Sequence, residues 1–338
     1  MALFLYDGGP NVSKLVFQVN IKWRLAHSQY GLTSILTWSR NMQPMIAIRA
    51  IAISMSVLAG SVFAQDAVKT TENVADQVVQ IQQIRNATAK ITYAGKIFLL
   101  DPFLAKKGAY PGFAGTFHSE LRNPLVELPM PVNDIMKGVD AVIVTHTHLD
   151  HWDGGDNNAI LKDLPVFVQH EGDSKIIRDQ GYRNVRILNE DTLFEGVHLT
   201  KIGGQHGTDE MYANPQRAAL LGEAMGVVFH ARGAKTIYFV GDTIWQKDVD
   251  HTLAQFNPDV IVINAGDARL AGYTGSIIMG KDDIIHAAQV APKAVIVATH
   301  MEAINHMTLS RKALRDHVQQ HGMQERVRIP ADGETMHF

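Results

Sequence analysis

Cysteine is absent from the chain, and this absence limits the chemistry that the protein can perform. Without thiols there is no disulfide framework, no thiolate metal ligand and no cysteine nucleophile. A chain of 338 residues does not need disulfides for stability, because it is long enough to bury a large apolar core. The composition is therefore compatible with export as well as with a reducing compartment.

An excess of positive charge is also lacking. The chain has 31 Lys and Arg against 34 Asp and Glu, a net charge of −3 with neutral histidines. Removal of residues 1–64 as a leader would take away five basic residues and one acidic residue, which leaves 26 basic and 33 acidic residues and a net charge of −7. Nucleic-acid partners are disfavoured, because phosphate binding requires clustered Lys and Arg. We expect a small-molecule substrate instead.

One apolar run near the beginning of the chain has the layout of a secretory signal peptide. Arg49 supplies positive charge, residues 50–62 form an apolar run broken only by Ser and Gly, and Val62-Phe63-Ala64 offers a cleavage site before Gln65. The run is shorter than the roughly 20 residues that span a membrane, although an uncleaved anchor is an alternative. We predict a signal peptide over 45–64 and a mature domain over 65–338 that is periplasmic or secreted, without stable membrane insertion.

Residues 1–41 precede this complete signal and show no period or motif. We interpret them as the product of a start codon assigned too early, with the true start at Met42 or Met45. A genuine cytoplasmic extension is the alternative. Residues 1–64 are therefore predicted to be a leader that contributes nothing to the folded domain.

Short apolar strands and amphipathic segments alternate along the rest of the chain. A hairpin is predicted over 87–95 and 96–104, turning at Gly95 and followed by a Gly- and Pro-rich surface loop. Further strands are predicted at 140–146, 165–169, 184–188, 197–202, 224–231, 236–242, 259–264 and 294–300, and helices at 171–181, 246–256, 280–291 and 310–322. The pattern predicts an α/β protein with β-sheet inside and helices outside.

Ionisable residues recur at the ends of the predicted strands. Four of them each end an apolar strand or follow it directly: Asp101, His146, Asp242 and His300. Loops at one end of a sheet are where rigid folds present functional groups. We therefore expect these side chains to take part in one site.

The stretch VIVTHTHLDHWD, residues 142–153, concentrates such groups on a single turn. It contains His146 and His148, two residues apart, followed by Asp150 and His151. Imidazole and carboxylate are ligands of zinc, which keeps about four of them. The spacing favours a metal site over a polar loop that happens to be rich in histidine.

The order of five elements resembles the metallo-β-lactamase superfamily. They are His-x-His-x-Asp, its adjoining His, the lone histidine of GGQHGTDE, the Gly-Asp of GDT and the strand-end histidine of ATH. The resemblance covers nearly all of residues 78–338. AKITYAGKIFLLDPF, VIVTHTHLDHWD and HMEAINH are most similar to the branch of ascorbate-6-phosphate lactonase-like hydrolases. The resemblance implies a four-layer αββα sandwich, with the site at one edge of its two sheets.

The resemblance also implies two groups of metal ligands. The first ligand set would be His146, His148 and His206; the second ligand set would be Asp150, His151 and His300; and Asp242 would bridge both. The implied cofactors are two divalent ions, with Zn²⁺ expected and Mn²⁺ or Fe as alternatives.

Three further residues are candidates for roles beside the metal. His306 is the rival of His300 as the last ligand, and is otherwise a substrate-side group or a surface residue. Asp101 either orients a ligating imidazole or is a turn residue before Pro102. Tyr273 stands in the Gly-rich segment 264–280, which either lines the mouth of the site or is an ordinary crossover.

These inferences predict an exported binuclear metal-dependent hydrolase. Hydroxide from a water shared by the two cations would attack an ester, lactone or amide carbonyl carbon, while Asp150 orients it and carries its proton. The alternatives are a phosphodiesterase acting on a small or lipid phosphodiester and a non-catalytic metal- or ligand-binding protein. A flavin-linked di-iron enzyme is disfavoured, since the sequence has no flavodoxin-like segment. The phosphorylated sugar acid of the lactonase-like branch is a cytoplasmic substrate and fits an exported chain poorly.

Overall fold

A computed structural model describes residues 79–153 and 159–338 of the chain. The predicted leader over 1–64 and residues 65–78 of the predicted domain lie outside the described residues. The described residues form fourteen strands and seven helices. In chain order these are β1 (Gln80–Arg85), β2 (Thr88–Tyr93), β3 (Lys96–Leu100), α1 (Val132–Met136), β4 (Ala141–Ile143), β5 (Val166–Val168), α2 (Glu171–Asp179), β6 (Val185–Ile187), β7 (Thr192–Phe194), β8 (Val197–Gly204), α3 (Asp209–Tyr212), α4 (Pro215–Leu221), β9 (Ala224–His230), β10 (Ile237–Phe239), α5 (Lys247–Phe256), β11 (Val260–Asn264), α6 (Lys281–Val290), β12 (Val295–Thr299), α7 (Arg311–Gln320), β13 (Val327–Arg328) and β14 (Thr335–His337).

The strands form two seven-stranded sheets. The first sheet has the order β14-β1-β2-β3-β4-β5-β6, and the second has the order β13-β12-β11-β10-β9-β8-β7. In the first, the pairs from β14 to β3 are antiparallel and those from β3 to β6 are parallel. The second sheet repeats this division, with antiparallel pairs from β7 to β10 and parallel pairs from β10 to β13.

Strand β3 is an example of a strand that is buried on both faces of its sheet. Successive side chains of a strand point to opposite faces. Phe98 and Leu100 lie in the core between the two sheets, whereas Leu99 lies in a separate core with the helices of the first sheet. The strand therefore has to be apolar at consecutive positions, as its sequence KIFLL is.

Aromatic rings of both sheets meet in the central core. Phe229 of β9 makes edge-to-face contacts with Phe98 at a centroid distance of 5.3 Å and with Tyr93 at 5.6 Å. Helices α5, α6 and α7 pack on the outer face of the second sheet, and α1 and α2 pack on that of the first. The result is a four-layer αββα sandwich, which confirms the predicted fold class.

The four predicted helices correspond to α2, α5, α6 and α7, with ends that differ by at most two residues. The predicted strand 140–146 is shorter in the structure, where β4 ends at Ile143. It ends early because the amide of Thr145 donates to the carboxylate of Asp101 at 2.7 Å instead of continuing the ladder. This departure from the sheet turns His146 towards the site. In the part of the chain that the structure describes, no helix is both long and apolar enough to cross a membrane.

Candidate metal centre

The predicted site residues meet at the edge where parallel strands of both sheets end. Asp101 follows β3, His146 follows β4, Asp242 follows β10 and His300 follows β12. His151, from the turn after β4, contacts three of these segments. Its Nδ1 lies 2.8 Å from Asp101 Oδ2, and its Nε2 lies 3.1 Å from Asp242 Oδ2 and 2.9 Å from His300 Nε2. The two sheets thus contribute side chains to one cluster.

Potential metal donors in this cluster fall into three overlapping groups, each with its donor atoms within 4.8 Å of one another. The groups are His146, His148 and His206; His146, His151 and Asp242; and Asp150, His151 and His300. The first group is the predicted first ligand set, and the third is the predicted second ligand set. The middle group joins a histidine of each set to Asp242. The structure therefore brings together all seven predicted ligands as a His/Asp cluster that could bind metal.

Asp242 lies between the two sets. Its Oδ2 is 3.1 Å from Nε2 of His151 and 3.7 Å from Nε2 of His300, both in the second set. The same oxygen is 3.7 Å from Nε2 of His206 and 4.0 Å from Nε2 of His146, both in the first set. Its Oδ1 accepts a hydrogen bond from Asn264 at 2.7 Å, which fixes the carboxylate with Oδ2 towards the histidines.

Hydrogen bonds from their other ring nitrogens orient the histidines of the first set. His206 Nδ1 lies 2.9 Å from the carbonyl oxygen of Ile277, and His148 Nε2 lies 2.9 Å from that of Leu220. A ring nitrogen that donates to a carbonyl leaves the opposite nitrogen as the acceptor. His206 therefore presents Nε2 to the cluster, while His148 presents Nδ1, which lies 3.0 Å from His146 Nε2.

Asp101 contacts a ring nitrogen of His151, as the carbonyl oxygens of Ile277 and Leu220 contact ring nitrogens of His206 and His148. Its carboxylate accepts hydrogen bonds from the amide and the hydroxyl of Thr145, each at 2.7 Å, and lies 2.8 Å from His151 Nδ1. Carboxylates that hold the far nitrogen of a ligating imidazole fix its tautomer and its orientation. The structure thus places Asp101 where an orienting partner would stand, and that role remains a prediction.

Burial and neighbouring charges shift the pKa values of the cluster. Burial lowers the pKa of His146 well below its usual value and that of His148 to about 4, so both rings are neutral at pH 7. Burial acts in the same direction on His151, but Asp242, Asp101 and Asp150 outweigh it and raise the pKa of His151 well above 6.5.

The two carboxylates of the cluster remain ionised. Burial would raise the pKa of Asp150, but His151 and His300 hold it well below the usual range. The same balance of burial against His151 and His300 lowers the pKa of Asp242. The site therefore combines the neutral imidazoles of His146 and His148 with buried negative charge, which is a favourable environment for a cation.

The donor set fits divalent metal ions. His151 Nδ1 lies beside Asp101, and its Nε2 lies 2.9 Å from His300 Nε2 and 3.6 Å from Asp150 Oδ2. A divalent cation that took the place of the Nε2 proton of His151 would satisfy these facing acceptor atoms together. Two donors of one tetrahedral ion lie roughly 3.3–3.6 Å apart, given bond lengths of about 2.0–2.2 Å. The spacings of 2.9–4.0 Å among the cluster atoms bracket that range.

His306 is close to the cluster but belongs to none of its three donor groups. Its side chain is buried, its Nδ1 has no hydrogen-bond partner, and its ring contacts Phe113 edge-on at 5.4 Å. Burial lowers the pKa of His306 to about 4. The geometry therefore favours His300 as the last ligand and leaves His306 beside the site.

Tyr273 lies at the periphery of the site. It is half-buried against the apolar cluster that contains Met211, Leu221 and Ile277. The guanidinium of Arg217 lies 5.9 Å from the centre of its ring. Ile277 also holds His206, so this cluster supports the first ligand set. A role of Tyr273 towards substrate remains a prediction.

Sequence reasoning missed several residues that hold the site together. Asn264 ends β11, binds Asp242, and accepts a hydrogen bond from Thr299 at 3.0 Å. Its position at a strand end is a local signal, but an amide is not a typical zinc ligand. Asn305 is a second residue that sequence reasoning missed. Its side chain accepts a hydrogen bond from the amide of Phe113 and donates one to the carbonyl of Phe117 at 2.7 Å. These bonds hold the loop that contains Phe113 and Phe117 next to His306.

Comparisons with known proteins agree with this geometry. A sequence profile for the β-lactamase superfamily domain matches residues 97–301. The UPF0173 protein YddR of Bacillus subtilis (strain 168) is 44% identical over 260 residues, which cover 77% of this chain and 100% of YddR. The UPF0173 metal-dependent hydrolase MJ1163 of Methanocaldococcus jannaschii is 26% identical over 53% of this chain and 73% of its own length.

Two solved structures are similar over almost their whole length. One is a possible metal-dependent hydrolase from Veillonella parvula DSM 2008, with 48% identity and a TM-score of 0.75. The other is an isothiocyanate hydrolase from Delia radicum gut bacteria, with 48% identity and a TM-score of 0.74. Each comparison covers 77% of this chain and 99% of the solved chain.

Proposed function

The chain belongs to the β-lactamase superfamily and is a metal-dependent hydrolase, and from this premise we propose that it binds two divalent cations, foremost Zn²⁺, and hydrolyses a small molecule at an electrophilic carbon. One observation carries the two-ion proposal. Asp242 Oδ2 lies 3.1–4.0 Å from four imidazole nitrogens, two of each ligand set. A carboxylate shared in this way is what a bridging ligand requires.

Bound divalent cations would supply the Lewis acidity that makes hydroxide available near neutral pH. The chain's own residues would provide orientation and a proton acceptor. Asp150 is buried and ionised, and its Oδ2 lies 3.4 Å from His300 Nε2. An ionised carboxylate in this position accepts a hydrogen bond from the attacking water and can pass its proton to the leaving group.

The identity of 48% to an isothiocyanate hydrolase makes isothiocyanates the first substrates to test. The central carbon of R–N=C=S is an electrophile, as is the carbonyl carbon of an ester, lactone or amide predicted from the sequence. Addition of water gives R–NH–C(=O)–SH, which breaks its C–N bond to release R–NH₂ and COS. The near-complete burial of six of the seven predicted ligands favours a small reacting group of this kind.

A substrate panel tests the proposal. The full chain, loaded with Zn²⁺, would be assayed against phenethyl isothiocyanate, p-nitrophenyl acetate, a γ-lactone, a chromogenic β-lactam and bis(p-nitrophenyl) phosphate. We expect turnover of one or more carbon electrophiles that is lost on chelation and restored by metal. Asp150→Asn, matched to the wild type in metal content, should reduce kcat by roughly 10²–10⁴-fold. Metal-dependent turnover of the phosphodiester alone would reject the proposal in favour of a phosphodiesterase.

We further propose that the protein is exported, with a signal peptide over 45–64. The pattern of residues 49–64 supports this proposal, and the chain carries residues that YddR lacks, because the alignment covers all of YddR but 77% of this chain. Fractionation and N-terminal sequencing test it. We expect a periplasmic or secreted form that begins at Gln65, whereas an exported form that begins near Met1 would contradict both the signal peptide and the mis-assigned start.

A further inference from the structure

Asn86 lies in the turn between β1 and β2, with its side chain fully buried and a left-handed backbone at φ 58°. Asparagine is one of the few residues other than glycine that adopts this conformation readily. Its side-chain Nδ2 donates to the carbonyl oxygen of Asp150 at 3.0 Å. Its main-chain oxygen accepts from the amide of His300 at 3.1 Å and from Gln83 Nε2 at 2.8 Å.

These contacts join two segments that are distant in sequence. Asp150 and His151 belong to the turn after β4 in the first sheet, and His300 follows β12 in the second sheet. The second ligand set can form only if both segments are held in place, and Asn86 bonds the backbone of each. The anchors of the first ligand set are different, because His148 and His206 bond to the carbonyls of Leu220 and Ile277.

The backbone of His300 requires such a support. His300 has a φ of 60°, and Glu302 has a φ of 63°. A residue other than glycine in this region stores strain that its surroundings must offset. The amide of His300 is buried with its side chain, and a buried amide needs an acceptor, which here is Asn86.

We infer that Asn86 is a positioning residue for the cation of the second ligand set and not for that of the first. This inference rests on the two-ion site of the proposed function. It assigns a role to a residue whose side chain bonds to the backbone of Asp150 and whose main-chain oxygen bonds to the backbone of His300.

Two substitutions separate the contacts of Asn86. Asn86→Asp keeps the size of the side chain and tolerates φ of 58°, but it places a carboxylate oxygen against the carbonyl of Asp150. Asn86→Gly keeps the left-handed backbone and the acceptor for His300, and it removes only the amide. Asn257 provides matched controls, because it is also left-handed at φ 41° but caps α5 on the exposed surface. Its variants are Asn257→Asp and Asn257→Gly.

The experiment is a Zn²⁺ titration of the metal-stripped full chain, with elemental analysis and a thermal unfolding curve for each variant. For Asn86→Asp we expect the affinity of the more weakly held ion to fall on the order of 10–100-fold, as losses of orienting partners do. The affinity of the first ion should change by no more than about twofold, because the hydrogen bonds of Asn86 go to residues of the second ligand set and not to those of the first. Asn86→Gly should show the same selective loss to a smaller extent, and the Asn257 variants should show none.

The outcomes are distinguishable. If the wild type binds fewer than two ions, the two-ion site fails and this inference fails with it. If the wild type binds two ions but folded Asn86 variants lose both equally, or neither, Asn86 is merely structural and the inference is wrong. Should Asn86→Asp not fold, Asn86→Gly decides by the same comparison.

Discussion

Replacing His300 by alanine removes one ligand from the predicted second set and provides the sharpest test of the site. The His300 side chain is fully buried, and its Nε2 lies 3.4 Å from Asp150 Oδ2 and 2.9 Å from His151 Nε2. Loss of a partner that only orients a ligand costs roughly 10–100-fold in affinity. Loss of the ligand itself should therefore cost at least about 100-fold, which is roughly 2.8 kcal/mol at about 1.4 kcal/mol per tenfold.

The first ligand set remains intact in His300→Ala, because His146, His148 and His206 form a donor group without it. We expect close to one equivalent of metal per chain by elemental analysis after gel filtration, and loss of most activity. A Zn²⁺ titration should show the stronger binding step preserved and the weaker step displaced or absent.

His306→Ala is the matched comparison, since it removes a second buried histidine from the same segment. His306 is in none of the donor groups, and its ring packs on Phe113. We expect two equivalents of metal and a change, if any, in KM for the substrate. If His300→Ala keeps both ions and His306→Ala loses one, the assignment of the last ligand is wrong and His306 takes that place.

Three further predictions follow from contacts around the site. Asp101→Asn should lower the pKa of His151 and weaken Zn²⁺ binding at the second ligand set on the order of tenfold, measured by titration. Because burial lowers the pKa of His306 to about 4, the unfolded chain binds a proton there between about pH 6.5 and 4 that the folded chain does not. The metal-free protein should therefore lose stability as the pH falls through that window, by up to about 3 kcal/mol from this residue. Urea unfolding at pH 7 and pH 4 should show a weaker pH dependence for His306→Gln than for the wild type. Arg311→Met should lower the free energy of unfolding by about 2 kcal/mol, because it removes the guanidinium donor 2.9 Å from the Glu302 carboxylate and leaves only the main-chain amide of residue 311, at 2.8 Å, to hold it. An unchanged urea midpoint would contradict that estimate.

The ligands could be predicted because their signals are local. An apolar strand followed at once by ionisable residues identifies a strand end, and four such ends were visible at Asp101, His146, Asp242 and His300. Parallel strands that end at one edge bring those residues together whatever the details of the loops. The same local periodicity predicted ten of the fourteen described strands and the four helices of nine or ten residues.

The residues that support the ligands gave no comparable signal. Asn86 and Asn305 act through side-chain hydrogen bonds to residues that are distant in sequence, Asp150 and Phe117 respectively. The local sequence around each asparagine does not indicate which residue it bonds to. Strands β13 and β14, of two and three residues, are too short for a period to emerge. They exist because each pairs with the edge of a sheet formed by earlier strands. Long-range pairing, which a local pattern does not encode, decides such elements.

The left-handed backbone conformation of several residues near the site could not be predicted from the sequence either. Asn86, Asp101, His300 and Glu302 all have φ between 45° and 63°, a region that local preference reserves for glycine. Asn86, Asp101 and His300 each directly follow a strand, and Glu302 lies two residues after His300, so the positive φ turns the chain out of the sheet next to the site. Glycine would relieve the strain there but would remove the carboxylate or imidazole that the site needs. The structure instead holds each strained residue by specific bonds: Thr145 on Asp101, Asn86 on His300, and Arg311 on Glu302. Because each of these bonds offsets strain as well as placing a side chain, their removal should loosen the second ligand set before it unfolds the sandwich.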